Sequence, residues 1–148
     1  MKLYFAWPLF NEAEKQFNIN LTNKLENLWI KVFLPQRDWV EKNSPPYNKM
    51  DKEEIRQKIF ETDRDEILSS DIFLFILDWR VPDEWACVEL WIVYSANFLN
   101  NKNIKIIWLH TDSRAAFIWW RLNPMIKIPI GHIFNTEKDL INHIKTWL

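Results

Sequence analysis

The sequence predicts an α/β protein built on an open, doubly wound sheet of about five parallel strands with helices on both faces, a flavodoxin-like or Rossmann-like arrangement. Three observations carry this. Short apolar segments alternate along the chain with stretches of helical periodicity. One segment, Ile72-Phe73-Leu74-Phe75-Ile76-Leu77, is apolar at every residue, the pattern of a central parallel strand covered on both faces. Polar side chains cluster just after the strands, at the rim where such sheets bind ligands.

Taken in order, Leu3 to Ala6 reads as the first strand, stopped by Trp7-Pro8. Ala13, Phe17, Leu21, Leu25 and Leu28 recur on one helical face, and Asn11 with Glu14 forms a capping box at its start. Ile30 to Leu34 is a second strand, ended by Pro35. The stretch from Gln36 to Met50, with Pro45-Pro46, reads as a long loop, and long ordered loops are often functional. A second helix runs from Asp51 to Ser69, and the strand ending at Leu77 leads into Asp78. A third helix covers Glu84 to Leu99, followed by a strand from Ile104 to Leu109 and a loop through Met125. A short strand from Ile130 to Phe134 and a helix from Thr136 complete the chain. No repeat or low-complexity linker divides it, so one domain over residues 1–148 is expected.

Composition excludes whole classes. With 48% hydrophobic and 26% charged residues, disorder and collagen-like structure are ruled out. Nineteen basic against twenty acidic residues leave a net charge of −1, so no broad field advertises a nucleic-acid polymer or an anionic membrane. No apolar run approaches the ~18 residues of a membrane span. The start, Met1-Lys2-Leu3-Tyr4-Phe5-Ala6, reads as a strand rather than a signal peptide. Cys87, the only cysteine, excludes an internal disulfide and a Cys-based zinc cluster, and makes a reducing cytoplasm the expected location. The anomaly is one Gly beside ten Trp, where ordinary usage of about 7% calls for roughly ten glycines.

Two carboxylates are out of place. On the second helix Ile55, Ile59, Phe60 and Ile67 define an inward stripe, and Asp63 falls at its centre. Such a group must be paired, hydrogen-bonded or protonated, and two readings stand: an Asp packed at a domain edge or against an Arg, or a functional carboxyl. On the third helix Cys87, Leu90, Val93 and Tyr94 flank Glu89, whose place near the helix N-terminus favours the anion, and hence a nucleophile or general base. Asp83 stands at the N-cap of that helix, where position alone favours a capping role. His110, His132 and His143 are not spaced as a metal set, and Cys87 has no neighbouring His or Lys to activate it. Neither Gly-rich phosphate-binding motif is present.

Several strings in order resemble the nucleoside 2-deoxyribosyltransferase family. They are Tyr4-Phe5-Ala6-Trp7-Pro8-Leu9-Phe10-Asn11-Glu12-Ala13-Glu14, Val32-Phe33-Leu34-Pro35-Gln36-Arg37-Asp38, Ile59-Phe60-Glu61-Thr62-Asp63, Asp78-Trp79-Arg80-Val81-Pro82-Asp83-Glu84-Trp85, Val88-Glu89-Leu90-Trp91 and Asn123-Pro124-Met125-Ile126. The resemblance implies that Glu89 is a nucleophile that attacks the anomeric carbon of a 2'-deoxynucleoside and forms a glycosyl ester, which a second nucleobase cleaves. It assigns Asp63 and Asp83 to the base and its proton, and Tyr4 to positioning Glu89. Trp7, Gln36, Asp38, Asp78 and Arg80 fall in motifs beside the substrate. Asn123 and Met125 match a segment that completes a neighbouring subunit's site, which implies a homo-oligomer. The implied partners are 2'-deoxynucleosides and free nucleobases in nucleotide salvage, with no cofactor and no metal.

The chemistry agrees with the misplaced carboxylates, because retaining glycosyl transfer needs an ionised nucleophile and a group that carries a proton. Desolvation of Asp63 on an apolar face raises its pKa and suits it to the second task. Rivals within the same fold are an N-glycosidase acting on a 2'-deoxynucleoside or its 5'-monophosphate, with Arg37, Arg80, Ser113 and Arg114 as possible phosphate partners, and an inactive nucleotide-binding module. The departures from the family are tryptophans. Trp7, Trp29, Trp39, Trp79, Trp85 and Trp91 stand where the family pattern has Gly, and Trp108, Trp119 and Trp120 lie where Gly would be natural. A stacking pocket needs only two or three aromatics. The reading adopted is that UGA codons, which the gene's own code reads as Gly, appear here as Trp.

Overall fold

Strands Lys2–Ala6 (β1), Lys31–Phe33 (β2), Ile72–Ile76 (β3), Lys105–Leu109 (β4) and His132–Phe134 (β5) form one parallel sheet in the order β2-β1-β3-β4-β5. In this computed structural model residues 1–39, 44–77, 82–111 and 123–148 are described. The helices are Glu12–Glu26 (α1), Pro35–Asp38 (α2), Lys52–Leu68 (α3), Glu84–Asn100 (α4), Pro124–Lys127 (α5) and Glu137–Lys145 (α6). The sheet is doubly wound, as its sequence predicts, and the strand order reverses direction across β1 and β3, which opens a crevice at their carboxyl ends.

Alternation along the strands divides the core in two. Leu3, Phe5, Leu74 and Ile107 pack with Leu21 and Leu25 of α1 and Leu140 and Ile144 of α6. Tyr4, Phe73, Phe75 and Trp108 face the other way, against Ile67 of α3 and Leu90 and Val93 of α4. Every residue of β3 is buried, as a strand covered by helices on both sides requires. Tyr4 stacks between Phe33 and Phe73 at 5.5 and 5.8 Å, which fixes the direction of its side chain.

Local sequence sets the helix ends. The Asn11–Glu14 capping box is present, and Asp51 with Glu54 makes a second at the start of α3. The stretch expected as open loop from residue 36 begins instead with α2 and includes a 3-10 turn at Tyr47–Lys49. Pro35 occupies the first turn of α2 and Pro124 that of α5, where a missing N–H costs nothing. The inward stripe of α3 is shorter than its periodicity implies: Asp63 and Ile67 are buried, Ile55 and Ile59 half-buried, and Phe60 exposed. A helix of this length runs about 25 Å beside a strand of roughly 17 Å, so its first turns overhang the sheet.

Two backbone positions bear on the glycine deficit. Trp29, just past the end of α1, has φ +62° and is 93% exposed, a left-handed helix-end position that glycine normally fills. A Cβ at Gly131 would lie 2.5 Å from the Ile106 carbonyl oxygen, so this position admits no side chain.

Candidate active site

Three elements bring the chemistry together at the crevice. From β1, the fully buried Tyr4 donates its hydroxyl proton to Glu89 Oε1 at 2.6 Å. Glu89 stands in the second turn of α4, whose N-cap Asp83 accepts the Ala86 N–H at 3.0 Å. From α3, the buried Asp63 accepts the Trp39 indole N–H on Oδ1 at 2.6 Å. Asp63 also couples electrostatically to Tyr4 and to Glu89.

Burial governs the protonation of this cluster. It pushes Glu89 up to about 8, against the Tyr4 hydrogen bond, and the charges of Asp63 and Asp83 act in the same direction as burial. Asp63 is raised to about 6, again chiefly by burial, with the Trp39 and Tyr4 donors opposing. Burial and the two carboxylates hold the Tyr4 hydroxyl well above the ordinary phenol range, so it remains a donor. The expectation that the helix N-terminus keeps Glu89 ionised is therefore corrected: the dipole fades within the first turn, and Glu89 lies beyond it in a desolvated place. Near neutrality the two carboxyls carry one proton between them, held mainly by Glu89, the group that burial raises further.

Glu89 borders two spaces. One, about 70 Å³, is lined by Trp7, Pro35, Trp39, Asp83 and Trp85. The other, about 440 Å³, is an apolar groove between α3 and α4 bordered by Phe60, Asp63, Ile67, Trp85 and Val88. Ligand sites run roughly 300–1,000 Å³, so the indoles leave the first space far below the size of a nucleoside. Trp39 and Trp85 close its wall with ring centroids 5.8 Å apart.

The sequence-predicted residues fall into three groups. Tyr4, Asp63, Asp83, Glu89 and Trp7 surround the crevice, with Trp7 stacked on Phe17 at 5.1 Å and its buried Nε1 unpartnered among the described residues. Gln36 lies one compartment away, lining a polar cavity of about 490 Å³ that shares Leu9, Pro35 and Trp39 with the smaller Glu89 space, and Asp38 lines neither. Asp38 braces its own turn, accepting the Leu34 N–H at 2.8 Å and pairing with Arg37. Asn123 caps α5 by accepting the Met125 N–H at 2.9 Å, and Met125 is exposed; neither borders the spaces around Glu89 in its own chain. Asp78 and Arg80, with Trp79, Ser113, Arg114, Trp119 and Trp120, lie outside the described residues.

Trp39 escaped the sequence reading as a functional contact, because its link to Asp63 spans 24 positions and joins two separate elements. Burial raises the Cys87 thiol to about 11, in keeping with an inert side chain. His132 and His143 stack at 4.9 Å, but among the described residues no group of three or more His, Cys, Asp or Glu side chains could hold a metal ion. Among the same residues no helix is long and apolar enough to cross a membrane.

A carboxylate pair under a tyrosine hydroxyl, at the open end of a parallel sheet, defines a glycosyl-transferring or glycosidase class of enzyme. Residues 3–142 match the sequence model of nucleoside 2-deoxyribosyltransferase, and the chain belongs to that family. Among solved structures it resembles a conserved protein from Enterococcus faecalis V583, at 26% identity over 100% of this chain and 99% of that one, with a TM-score of 0.75. The 2-deoxyribosyltransferase from Bacillus psychrosaccharolyticus shares the fold at 23% identity, covering 96% and 91% of the two chains, with a TM-score of 0.74. The CMP N-glycosidase of Clostridium botulinum shares it more distantly, at 16% identity over 100% of each chain and a TM-score of 0.57. Comparison with curated proteins gives no match.

Proposed function

We propose that the protein moves a 2'-deoxyribosyl group between nucleobases through a covalent ester on Glu89. The observation that carries this reading is the 2.6 Å bond from Tyr4 to Glu89, with Asp63 coupled to both. The singly protonated pair has two tautomers, and the competent one places the proton on Asp63. Glu89 then forms a bond to the anomeric carbon as the glycosidic C–N bond breaks. Its electron pair leaves with the base, which takes the proton from Asp63, with Asp83 as the alternative donor at the rim. A second base attacks the anomeric carbon from the face the first base left, forms the new C–N bond as the C–O bond to Glu89 breaks, which restores the carboxylate, and returns its own N–H proton to the aspartate.

In this reading Gln36 faces the base, and Trp7, Asp38, Asp78 and Arg80 frame the substrate. Asn123 and Met125, which do not border the spaces around Glu89 in their own chain, complete the site of a neighbouring copy. The setting is deoxynucleoside salvage in the cytoplasm, with no metal or cofactor taking part. Incubation with deoxyinosine and free adenine, followed by chromatography, is expected to yield deoxyadenosine. Trapping the Glu89 ester by mass spectrometry links that product to the residue. Release of hypoxanthine alone, with or without adenine, overturns transfer in favour of hydrolysis of a 2'-deoxynucleoside or its 5'-monophosphate. One observation favours that second reading: the small space beside Glu89 admits water more readily than an acceptor base. No product with any nucleoside leaves a catalytically inactive nucleotide-binding module.

A further inference from the structure

We propose that Asn18 of α1, acting with the Lys15 carbonyl, locks the Gln36 amide in one orientation and thereby sharpens the site's preference between amino and keto nucleobases; this rests on the reading that Gln36 faces the base. Asn18 is 1% exposed, and its Nδ2 donates to Gln36 Oε1 at 2.7 Å. The other end of the same amide, Gln36 Nε2, donates to the Lys15 carbonyl at 2.9 Å. A backbone carbonyl only accepts, so the amino end of Gln36 must face Lys15. Its oxygen must then face Asn18, which has to present its own amino group. The two contacts define one orientation from both ends.

After these bonds Gln36 keeps one N–H and one oxygen lone pair. It is half-buried in the polar cavity next to the Glu89 space, separated from it by Leu9, Pro35 and Trp39. Amino bases such as adenine offer an exocyclic donor beside a ring-nitrogen acceptor. Keto bases such as hypoxanthine offer an exocyclic acceptor beside a ring N–H. The two patterns occupy the same positions with donor and acceptor exchanged. An amide free to flip pairs with both, whereas one held at both ends pairs with one and leaves buried polar groups unmatched against the other. Asn18 is thus a positioning residue that acts through Gln36.

The test uses Asn18→Leu, which is close in volume, removes the donor and also removes the Asn18 Oδ1, buried without a partner among the described residues. Asn18→Ala serves as a second variant should leucine fit poorly. Two readouts are taken on the full chain: dissociation constants for adenine and hypoxanthine from tryptophan fluorescence, and kcat/KM for deoxyadenosine and deoxyinosine. The wild type is expected to discriminate by about tenfold or more; because the Lys15 carbonyl still biases the amide, the Asn18 variants are expected to narrow that ratio by about threefold rather than erase it, with the loss appearing in KM rather than kcat. A wild type that does not discriminate, or Asn18 variants that keep its ratio, overturns the inference. Gln36→Met separates the layers: an unchanged binding ratio in that variant also overturns it. A binding ratio that narrows in the Asn18 variants without any glycosyl product upholds the Asn18 role while the transferase reading fails.

Discussion

Tyr4 and Glu89, 85 positions apart in the chain, meet over 2.6 Å, with the phenol as donor and the carboxylate as acceptor. The geometry is anchored on both sides, by the rings of Phe33 and Phe73 around Tyr4 and by the packing of α4 behind Glu89. A hydrogen bond to a charged group contributes about 1.5–3 kcal/mol, and this one favours the anion that the proposed attack requires. Tyr4→Phe is therefore expected to lower kcat/KM about tenfold to a hundredfold and to move the ionisation of Glu89 upward. Steady-state kinetics across pH reads both effects. A Tyr4→Phe protein with the wild-type rate and profile removes Tyr4 from the mechanism.

Coupling between Asp63 and Glu89 sets the pH dependence of turnover. The pair carries one proton between its two ionisations, raised to about 6 and about 8, and only that form contains the competent tautomer. A bell-shaped kcat/KM profile with its maximum near pH 7 is expected. Asp63→Asn should abolish the bell and most of the activity. A profile flat from pH 5 to 9 contradicts the shared-proton account.

The same shifts predict a stability effect of definite sign. Both carboxyls have folded-state values above their unfolded ones, so the folded protein binds more protons between them and stability falls as pH rises. The contribution is fully present below about pH 4, where both carboxyls are protonated when unfolded, and is lost as pH passes through 6 and then 8. Melting temperatures should decline from pH 5 to pH 8, and Glu89→Gln should flatten that decline while abolishing turnover. Equal slopes for the two proteins would show that Glu89 titrates normally.

Much of this was legible in the chain because it is local. The all-apolar β3, the Asn11–Glu14 box and the cap at Asp83 each depend on neighbours within a few positions, and periodicity alone placed Asp63 on a buried face. The protonation of Glu89 was not legible, because its desolvation comes from chain segments distant in sequence, and the local cue, a nearby helix N-terminus, points the other way. The indole hydrogen bond on Asp63 and the tie between Asn18 and Gln36 were hidden for the same reason: each joins two elements whose approach only the sheet order determines.

Trp29 offers a test of the glycine deficit that does not depend on activity. Its φ of +62° is a region where a Cβ is unfavourable, and with the residue 93% exposed the indole gains little from packing. Trp29→Gly is expected to stabilise the protein by about 1 kcal/mol, a rise of roughly 2–4 °C in melting temperature for a chain of this size. The gene should carry UGA at this codon. UGG there would dismiss the codon account, and an unchanged or lower melting temperature would dismiss the strain.

Trp85 gives the corresponding functional test. It borders both spaces around Glu89, and its ring closes with Trp39 over a cavity of only about 70 Å³. Removing the Trp39 ring would also remove the donor on Asp63, whereas Trp85 makes no side-chain hydrogen bond in the crevice among the described residues. Trp85 follows the α4 N-cap by two positions and is 53% exposed, so glycine there costs about 1 kcal/mol of helix propensity at most, plus part of the burial of one indole. The gain is space that joins the small cavity to the 440 Å³ groove, enough for a nucleoside to reach Glu89. Trp85→Gly is expected to raise kcat/KM for base exchange by tenfold or more, about 1.4 kcal/mol of barrier, and the double variant Trp7→Gly with Trp85→Gly to raise it further. If the single variant melts near the wild-type temperature yet shows no gain, the indole is part of the substrate site rather than an obstruction of it.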